Sequence, residues 1–148
     1  MPPFYDYSMR NRTYRFYKGS PLYPFGFGLT YSKCEITGLE AGRLSAKVKV
    51  KNCGERSSGE VIELYMKDEA SLAAPPNPVL CGFLRISLAP GEEKEFEVRI
   101  DPNAFTVVDD NGKRVPGSGK WTLFAGFGAP DARTEELGGQ KAVSAHIG

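Results

Sequence analysis

The feature that most constrains this 148-residue chain is a series of short segments in which apolar and polar residues alternate. The clearest segment carries Leu44, Ala46, Val48 and Val50 at every second position, with a serine and lysines between and after them. A period of two places apolar side chains on one face of a β-strand and polar side chains on the other face. The pattern therefore predicts a strand with one buried and one solvated face.

Similar segments recur along the rest of the chain. Residues 61–68 place Ile62 and Leu64 on one face but also Tyr65 on the other, which predicts a strand in the middle of a sheet. The remaining alternations predict strands near residues 80–88, 96–100, 121–127 and 143–147, with a shorter segment at 104–108.

Turn signals separate these segments. Pro90 and Gly91 suit the two central positions of a type II turn. Asn111 followed by Gly112 is the strongest hairpin signal, because both residues accept a positive φ. Asp101, directly before a proline, is expected to cap a short helical turn.

Seven or eight short strands with almost no helical periodicity predict an all-β fold. The expected architecture is an antiparallel β-sandwich with immunoglobulin-like topology, two sheets with apolar inner faces and charged outer faces. Trp121 is expected to lie in the core between the sheets rather than to bind a ligand.

Residues 1–31, called the arm below, have a different character. They contain ten of the seventeen aromatic residues of the chain, and prolines and glycines between Pro21 and Gly28 interrupt any helix or strand. Such a segment cannot bury its rings by itself. We expect it to pack over the sheet that follows, to contact a neighbouring domain, or to do both.

Composition excludes several classes of function. A net charge of +1 gives no electrostatic reason to bind nucleic acid or a membrane, and no apolar run approaches the roughly 20 residues that span a bilayer. The N-terminal residues lack the basic and apolar blocks of a signal peptide. The cysteines Cys34, Cys53 and Cys81 form neither a disulfide framework nor a metal motif, and free thiols favour a reducing, cytoplasmic compartment. The compartment itself stays open.

No catalytic, cofactor-binding or metal-binding pattern is present in the sequence. The acidic residues between 92 and 97 lie on a turn and an outward face, Asp109 and Asp110 belong to a turn, and Glu135 and Glu136 lie in a predicted polar loop. With His146 as the one histidine and no nucleophile elbow, neither acyl transfer nor a zinc site is expected.

Aromatic residues offer an alternative function. Tyr65, Phe83 and Phe124 fall opposite the predicted core positions of their strands, where exposed rings could stack on sugars of a polysaccharide. The same rings are also candidates for burial beneath the arm, which has to cover apolar surface. We favour burial beneath the arm.

Several motifs, in order, resemble one known domain. Residues 12–16 (RTYRF) and 21–31 (PLYPFGFGLTY) look like the entry to the C-terminal fibronectin type III-like domain of glycoside hydrolase family 3. Residues 48–54 (VKVKNCG), 59–65 (GEVIELY) and 80–91 (LCGFLRISLAPG) resemble the motifs that follow in that family, with Glu63 where glutamine is usual. The resemblance covers nearly the whole chain.

The resemblance implies a division into a tail and linker at residues 1–31 and a fibronectin type III-like β-sandwich at 32–148. It implies a non-catalytic accessory domain that stabilises the catalytic body of a β-glucosidase or β-xylosidase, with the catalytic residues in other domains. A carbohydrate-binding module is the alternative, and an autonomous hydrolase is a third hypothesis that lacks a site. The expected partners are the catalytic domains, a polysaccharide in the alternative, and a second copy through the arm if the chain stands alone. The residues expected at the interface with the catalytic body are Tyr14, Phe16, Tyr23, Phe25 and Phe27.

Overall fold

The alternating segments form antiparallel strands in the computed structural model, which describes residues 3–148. The strands of this described part are β1 Cys34–Ala41, β2 Ser45–Asn52, β3 Ser58–Asp68, β4 Val79–Leu88, β5 Glu93–Arg99, β6 Thr106–Val108, β7 Arg114–Pro116, β8 Trp121–Gly126 and β9 Val143–Ile147. Two short α-helices are α1 Thr13–Phe16 and α2 Ala132–Glu136, and a 3₁₀ turn spans Pro102–Phe105.

Seven of the strands form two sheets that face each other. The three-stranded sheet has the order β1-β2-β5, and the four-stranded sheet has the order β4-β3-β8-β9. Every neighbouring pair is antiparallel, and β6 and β7 form a separate two-stranded ribbon. The predicted antiparallel β-sandwich is confirmed, with β3 in the interior of its sheet as its two-sided pattern indicated.

The core lies between the inner faces of the two sheets. Its centre is made by aliphatic side chains that no water reaches, and Trp121 closes one end with 3% of its surface exposed. The fully buried aliphatic residues of the core are Val48, Val50, Ile62, Leu64, Leu123 and Ala125. Burying side chains of this kind supplies the main stabilisation of a sandwich, about 1.5–3 kcal/mol for each large one.

The turns follow their predicted chemistry, with one difference in type. Gly91 has a φ of 72°, and Glu92 N–H donates to the carbonyl of Ala89 at 3.1 Å, as a type II turn requires. At the next hairpin, Gly112 alone takes a positive φ, while Asp109 Oδ1 accepts from the amides that follow. The side chain of Asp109 therefore stabilises this turn, and Asn111 keeps an ordinary negative φ.

Three parts of the fold differ from the expectation. β1 was not predicted as a strand, because a bulge between Ile36 and Gly38 interrupts its alternation. Leu44 was predicted on the buried face of β2, but it lies in the turn before that strand and is exposed. The loop predicted to contain Glu135 and Glu136 folds into α2, whose first turn is capped by the Asp131 side chain.

Asn52, at the end of β2, connects three loops at one end of the sandwich. Its side chain is fully buried, and its Oδ1 accepts from Ser32 Oγ at 2.7 Å and from Gly54 N–H at 3.0 Å. Its Nδ2 donates to the carbonyls of Arg56 at 2.8 Å and Leu88 at 3.2 Å. All four bonds of a buried amide are thus formed inside the protein.

Asp68, at the end of β3, organises the opposite end of the sandwich. Its carboxylate accepts from the backbone amides of Ala70, Ser71 and Ser118 at 3.1, 2.9 and 2.9 Å, and from the Ser118 hydroxyl. Burial alone would raise the pKa of Asp68, but the bonds from Ser118, Ser71 and Ala70 outweigh it and hold the pKa below its usual value.

Replacing Asp68 with asparagine is expected to cost about 2 kcal/mol of unfolding free energy near neutral pH, because the new amide faces the Ser118 N–H with a donor. A carboxyl whose pKa is lowered by folding stabilises above its unfolded pKa, and that stability is lost as the pH falls through the folded pKa. The gap between Asp68→Asn and the original protein should therefore shrink in acid, as measured by urea unfolding over a pH series. Asp110→Asn, at an exposed position, is the control with the same charge change. An equal gap at every pH would contradict this role.

Candidate functional site

Part of the arm contacts the outer face of the four-stranded sheet, and α1 places Tyr14 at the point of contact. The Tyr14 ring meets Tyr65 of β3 edge-on, with the ring centroids 6.4 Å apart and an interplanar angle of 83°. Phe25 stacks on Tyr14, with the ring centroids 4.5 Å apart and an interplanar angle of 19°. Tyr65 is 0% exposed as a result. Rings of the arm therefore pack against the sheet at this point.

Hydrogen bonds hold the arm to the sandwich at the loop between β3 and β4, near α2, and at the start of β3, where Thr30 Oγ1 lies 2.9 Å from Ser58 Oγ. In the loop between β3 and β4, Asn77 Nδ2 donates to the carbonyls of Tyr14 at 2.6 Å and Tyr17 at 2.8 Å. Leu80 N–H donates to Tyr14 Oη at 3.1 Å. Near α2, Ala129 N–H donates to the carbonyl of Phe25 at 2.9 Å. These bonds fix the backbone of the arm as well as its rings.

A carboxyl group lies beneath this contact. Glu63 Oε2 accepts from Tyr65 Oη at 2.6 Å, and Gly26 of the arm passes so close that a Cβ at that position would collide with the Glu63 carboxylate. Gly26 also has a φ of 79°, which strongly favours glycine. Burial raises the pKa of Glu63, and the bond from Tyr65 opposes this only in part.

Replacing Glu63 with glutamine is expected to stabilise the chain near pH 8. A carboxyl whose pKa is raised by folding stabilises below its unfolded pKa, and that stability is lost as the pH rises through the folded pKa. Glutamine keeps an acceptor for Tyr65 and removes the cost of desolvating a charge, so a gain of about 1 kcal/mol is expected.

The gain from Glu63→Gln should vanish near pH 4, where the original carboxyl is also neutral. Thermal unfolding at several pH values measures it, with the exposed Glu55→Gln as the matched control. A loss of stability at pH 8 would show that the charged carboxylate is favourable in this position.

A concave surface opens where the arm turns back towards the sandwich. This arm cavity, as it is called below, has a volume of about 1060 Å³ and lies between the arm, residues 77–78 and residues 129–136. Tyr14, Phe16, Tyr23 and Phe25 line it together. Two of its rings keep a substantial exposed surface, since Tyr23 is 67% exposed and Phe25 is 45% exposed.

The structure thus brings four of the five predicted interface residues to one place. Phe27 does not line the arm cavity but stacks on Tyr23 at 5.1 Å and supports it from outside.

The three rings predicted to stack on sugars do not form one exposed row. Tyr65 is corrected as a sugar platform, because it is fully buried and contacts the Tyr14 ring of the arm. Phe124 is half-buried and lies beside residues 129–142, the segment that contains α2. Phe83, on the outer face of β4, is 70% exposed and stands apart from the arm cavity.

Sequence reasoning missed the polar residues of this site. Asn77 lies in a loop with three prolines. Its polar side chain between two of these prolines is the one sequence signal that it forms hydrogen bonds to another segment. Arg15 and Lys18 line the arm cavity from the arm, and Arg133 lines it from α2, where it pairs with Glu136 at 2.9 Å.

No helix within residues 3–148 is long and apolar enough to cross a membrane. The same residues contain no group of three or more histidine, cysteine, aspartate or glutamate side chains that could hold a metal ion.

Comparison with known proteins gives consistent matches. A model of the fibronectin type III-like domain matches residues 60–129. Thermostable β-glucosidase B of Acetivibrio thermocellus is 39% identical over 135 residues, which are 83% of this chain and 18% of that protein. A β-xylosidase of Formosa agariphila is 32% identical over 134 residues, which are 84% of this chain and 18% of that protein.

Solved structures agree with the fold. The crystal structure of DesR, a β-glucosidase from Streptomyces venezuelae in complex with D-glucose, matches with a TM-score of 0.71 and 24% sequence identity. The match covers 91% of this chain and 18% of DesR. This chain therefore spans about 18% of the length of the relatives it matches.

Proposed function

The chain belongs to the fibronectin type III-like domains of family 3 glycoside hydrolases, and from this membership we propose that it is an accessory domain of a β-glucosidase or β-xylosidase. In this role it contributes no catalytic residue and stabilises the catalytic body by packing against it through the arm. The proposal concerns the whole parent enzyme, because this chain matches only about 18% of the length of each relative.

The observation that carries the proposal is the concentration of exposed apolar surface on the arm. Of the fifteen large hydrophobic residues that the described part of the chain exposes, ten lie in the arm, among them Leu22, Tyr23, Phe25 and Tyr31. Exposed apolar patches of this kind mark surfaces that another protein covers. Aromatic residues are also the type most enriched at the centre of protein interfaces.

The arm is also arranged in advance for such a contact. The bonds from Asn77 and Ala129 and the stack on Tyr65 hold its backbone, while Tyr23 and Phe25 stay available. A surface that is ordered before binding loses less conformational entropy when a partner arrives. This supports docking on a rigid body rather than a flexible linker.

The test compares Tyr23→Ser with Phe83→Ser, two aromatic positions of nearly equal exposure. In the isolated chain, both changes should cost less than about 1 kcal/mol of unfolding free energy. In the intact parent glycosidase, Tyr23→Ser should shorten the half-life of activity at elevated temperature about tenfold, because it removes an aromatic anchor from the interface. Phe83→Ser should leave it unchanged, and kcat and KM at 25 °C should not change in either variant.

Equal half-lives for the two variants would contradict the docking role of the arm. Retention of the isolated chain on xylan or cellulose, lost with Phe83→Ser and kept with Tyr23→Ser, would instead favour a carbohydrate-binding module. The exposed ring of Phe83 is the feature on which that alternative depends.

A further inference from the structure

Charge is unevenly distributed between the arm and the sandwich. The arm contains the basic residues Arg10, Arg12, Arg15 and Lys18 and the single acidic residue Asp6, which gives it a net charge of +3. Because the whole chain carries +1, the remaining residues 32–148 carry −2. The arm therefore combines exposed apolar surface with a net positive charge.

Inside the arm cavity, the acidic groups already have partners. Asp131 accepts from Thr134 N–H at 2.8 Å and from its hydroxyl at 3.1 Å, as the cap of α2. Glu136 pairs with Arg133 at 2.9 Å. These contacts satisfy the acidic side of the arm cavity within the chain itself.

The basic groups that the arm contributes are not satisfied in the same way. Within residues 3–148, neither Arg15 nor Lys18 forms an ion pair with an acidic side chain. The Arg15 guanidinium lies 5.8 Å from the centroid of the Tyr14 ring, which orients it at the wall of the arm cavity. The charged side chains that line the arm cavity are Arg15, Lys18, Arg133, Asp131 and Glu136, which give it a net positive charge.

A symmetric dimer through two arms does not suit that surface. A symmetric contact through two arms would place a net charge of +3 against another +3. Like charges brought together at an interface oppose association. The occupant has to supply negative charge as well as apolar contact.

We propose that the arm cavity receives an apolar segment of the catalytic body that carries carboxylates, which pair with Arg15 and Lys18. This inference rests on the proposed accessory role, and it adds the chemistry of the partner surface. The carboxylates orient the docking, while the aromatic rings supply most of the contact area. Because exposed charges are screened by salt, the docking should weaken as the ionic strength rises.

The experiment uses the catalytic part of the parent glycosidase, produced as a separate polypeptide, and measures its binding to this chain by calorimetry at low and high salt. Arg15→Gln with Lys18→Gln removes the two cations and keeps polar side chains of similar length. Lys49→Gln with Lys51→Gln, on the exposed face of β2, is the matched control with the same change of charge.

At low salt, the Arg15 and Lys18 double variant should bind about tenfold more weakly than the original chain, and its affinity should depend less on salt. The Lys49 and Lys51 variant should lose less than about twofold. The proposal of an acidic partner would be overturned if the two double variants bound with equal affinity. It would also be overturned if salt did not change the affinity of the original chain.

A Tyr23→Ser variant separates this inference from the proposed function. If Tyr23→Ser weakens binding while the Arg15 and Lys18 variant does not, docking through the arm stands and the acidic partner is wrong. If the original chain does not bind the catalytic part at all, both ideas fail. A dimer of the isolated chain that buries Tyr23, detected by sedimentation velocity, would replace the acidic partner by a second copy.

Discussion

Asn52→Ala is expected to lower the free energy of unfolding by about 3 kcal/mol, the largest effect of any single change considered for this chain. The substitution removes an amide that is fully buried and makes four hydrogen bonds. The carbonyl of Leu88, the hydroxyl of Ser32 and the amide of Gly54 then lose a partner in a place that water does not readily reach. Leaving buried polar groups without partners costs about 1–3 kcal/mol each, less where water enters.

The effect of Asn52→Ala should also spread beyond one loop. The backbone of Asn52 bonds to the turn at Gly91 and Glu92, and its side chain bonds to Ser32 and Arg56, so the three loops share one centre. Urea unfolding measures the change, and Asn103→Ala is the control at an exposed position. A loss below about 1 kcal/mol would mean that water replaces the amide.

Tyr14→Ala is expected to cost about 2–3 kcal/mol and to release the arm from the sandwich. The ring of Tyr14 is the one that contacts both Tyr65 in the sheet and Phe25 in the arm. Without it, Tyr65 becomes exposed to water and the hydrogen bond from Leu80 N–H is lost. The hydrogen bonds from Asn77 to the arm then lose the ring packing of Tyr14 that supports them.

Two variants separate the ring of Tyr14 from its hydroxyl. Tyr14→Phe keeps the stack on Phe25 and loses only the bond from Leu80, so it should cost about 1 kcal/mol. Tyr31→Ala, at an arm ring that is 92% exposed, should cost less than about 0.5 kcal/mol.

Limited trypsin digestion follows the release of the arm, because Arg15 and Lys18 become cleavable when the arm leaves the sheet. Tyr14→Ala should be cleaved there much faster than Tyr14→Phe. Equal cleavage rates in the two variants would contradict the account of Tyr14 as the ring that holds the arm.

Local patterns predict the parts of this fold that depend on local chemistry. The alternation in β2 and β3, the type II turn at Gly91 and the cap at Asp101 all follow from residues close together in the sequence. β1 escapes prediction because its bulge disturbs the period of two. On β1, the side-chain amide of Gln140 forms hydrogen bonds with the N–H and the carbonyl of Ile36, although the two residues are 104 positions apart.

The candidate site depends on contacts of that distant kind. An aromatic arm has to lie against something, but composition does not determine which ring of the sheet it covers. Only the structure places Tyr14 over Tyr65, which removes Tyr65 from the surface and leaves Phe83 exposed. The role of Asn77 likewise follows from a contact between segments that are distant in the sequence rather than from any motif.

Hydroxyl-radical footprinting of Tyr23 and Phe83, in the isolated chain and in the intact parent glycosidase, tests docking through the arm most directly. The two side chains have similar exposure in the chain, so they should react at similar levels when it is alone. In the parent enzyme, the account predicts that Tyr23 loses most of its reactivity while Phe83 keeps its own. Undiminished oxidation of Tyr23 in the parent enzyme would show that the arm faces solvent there and would contradict the account.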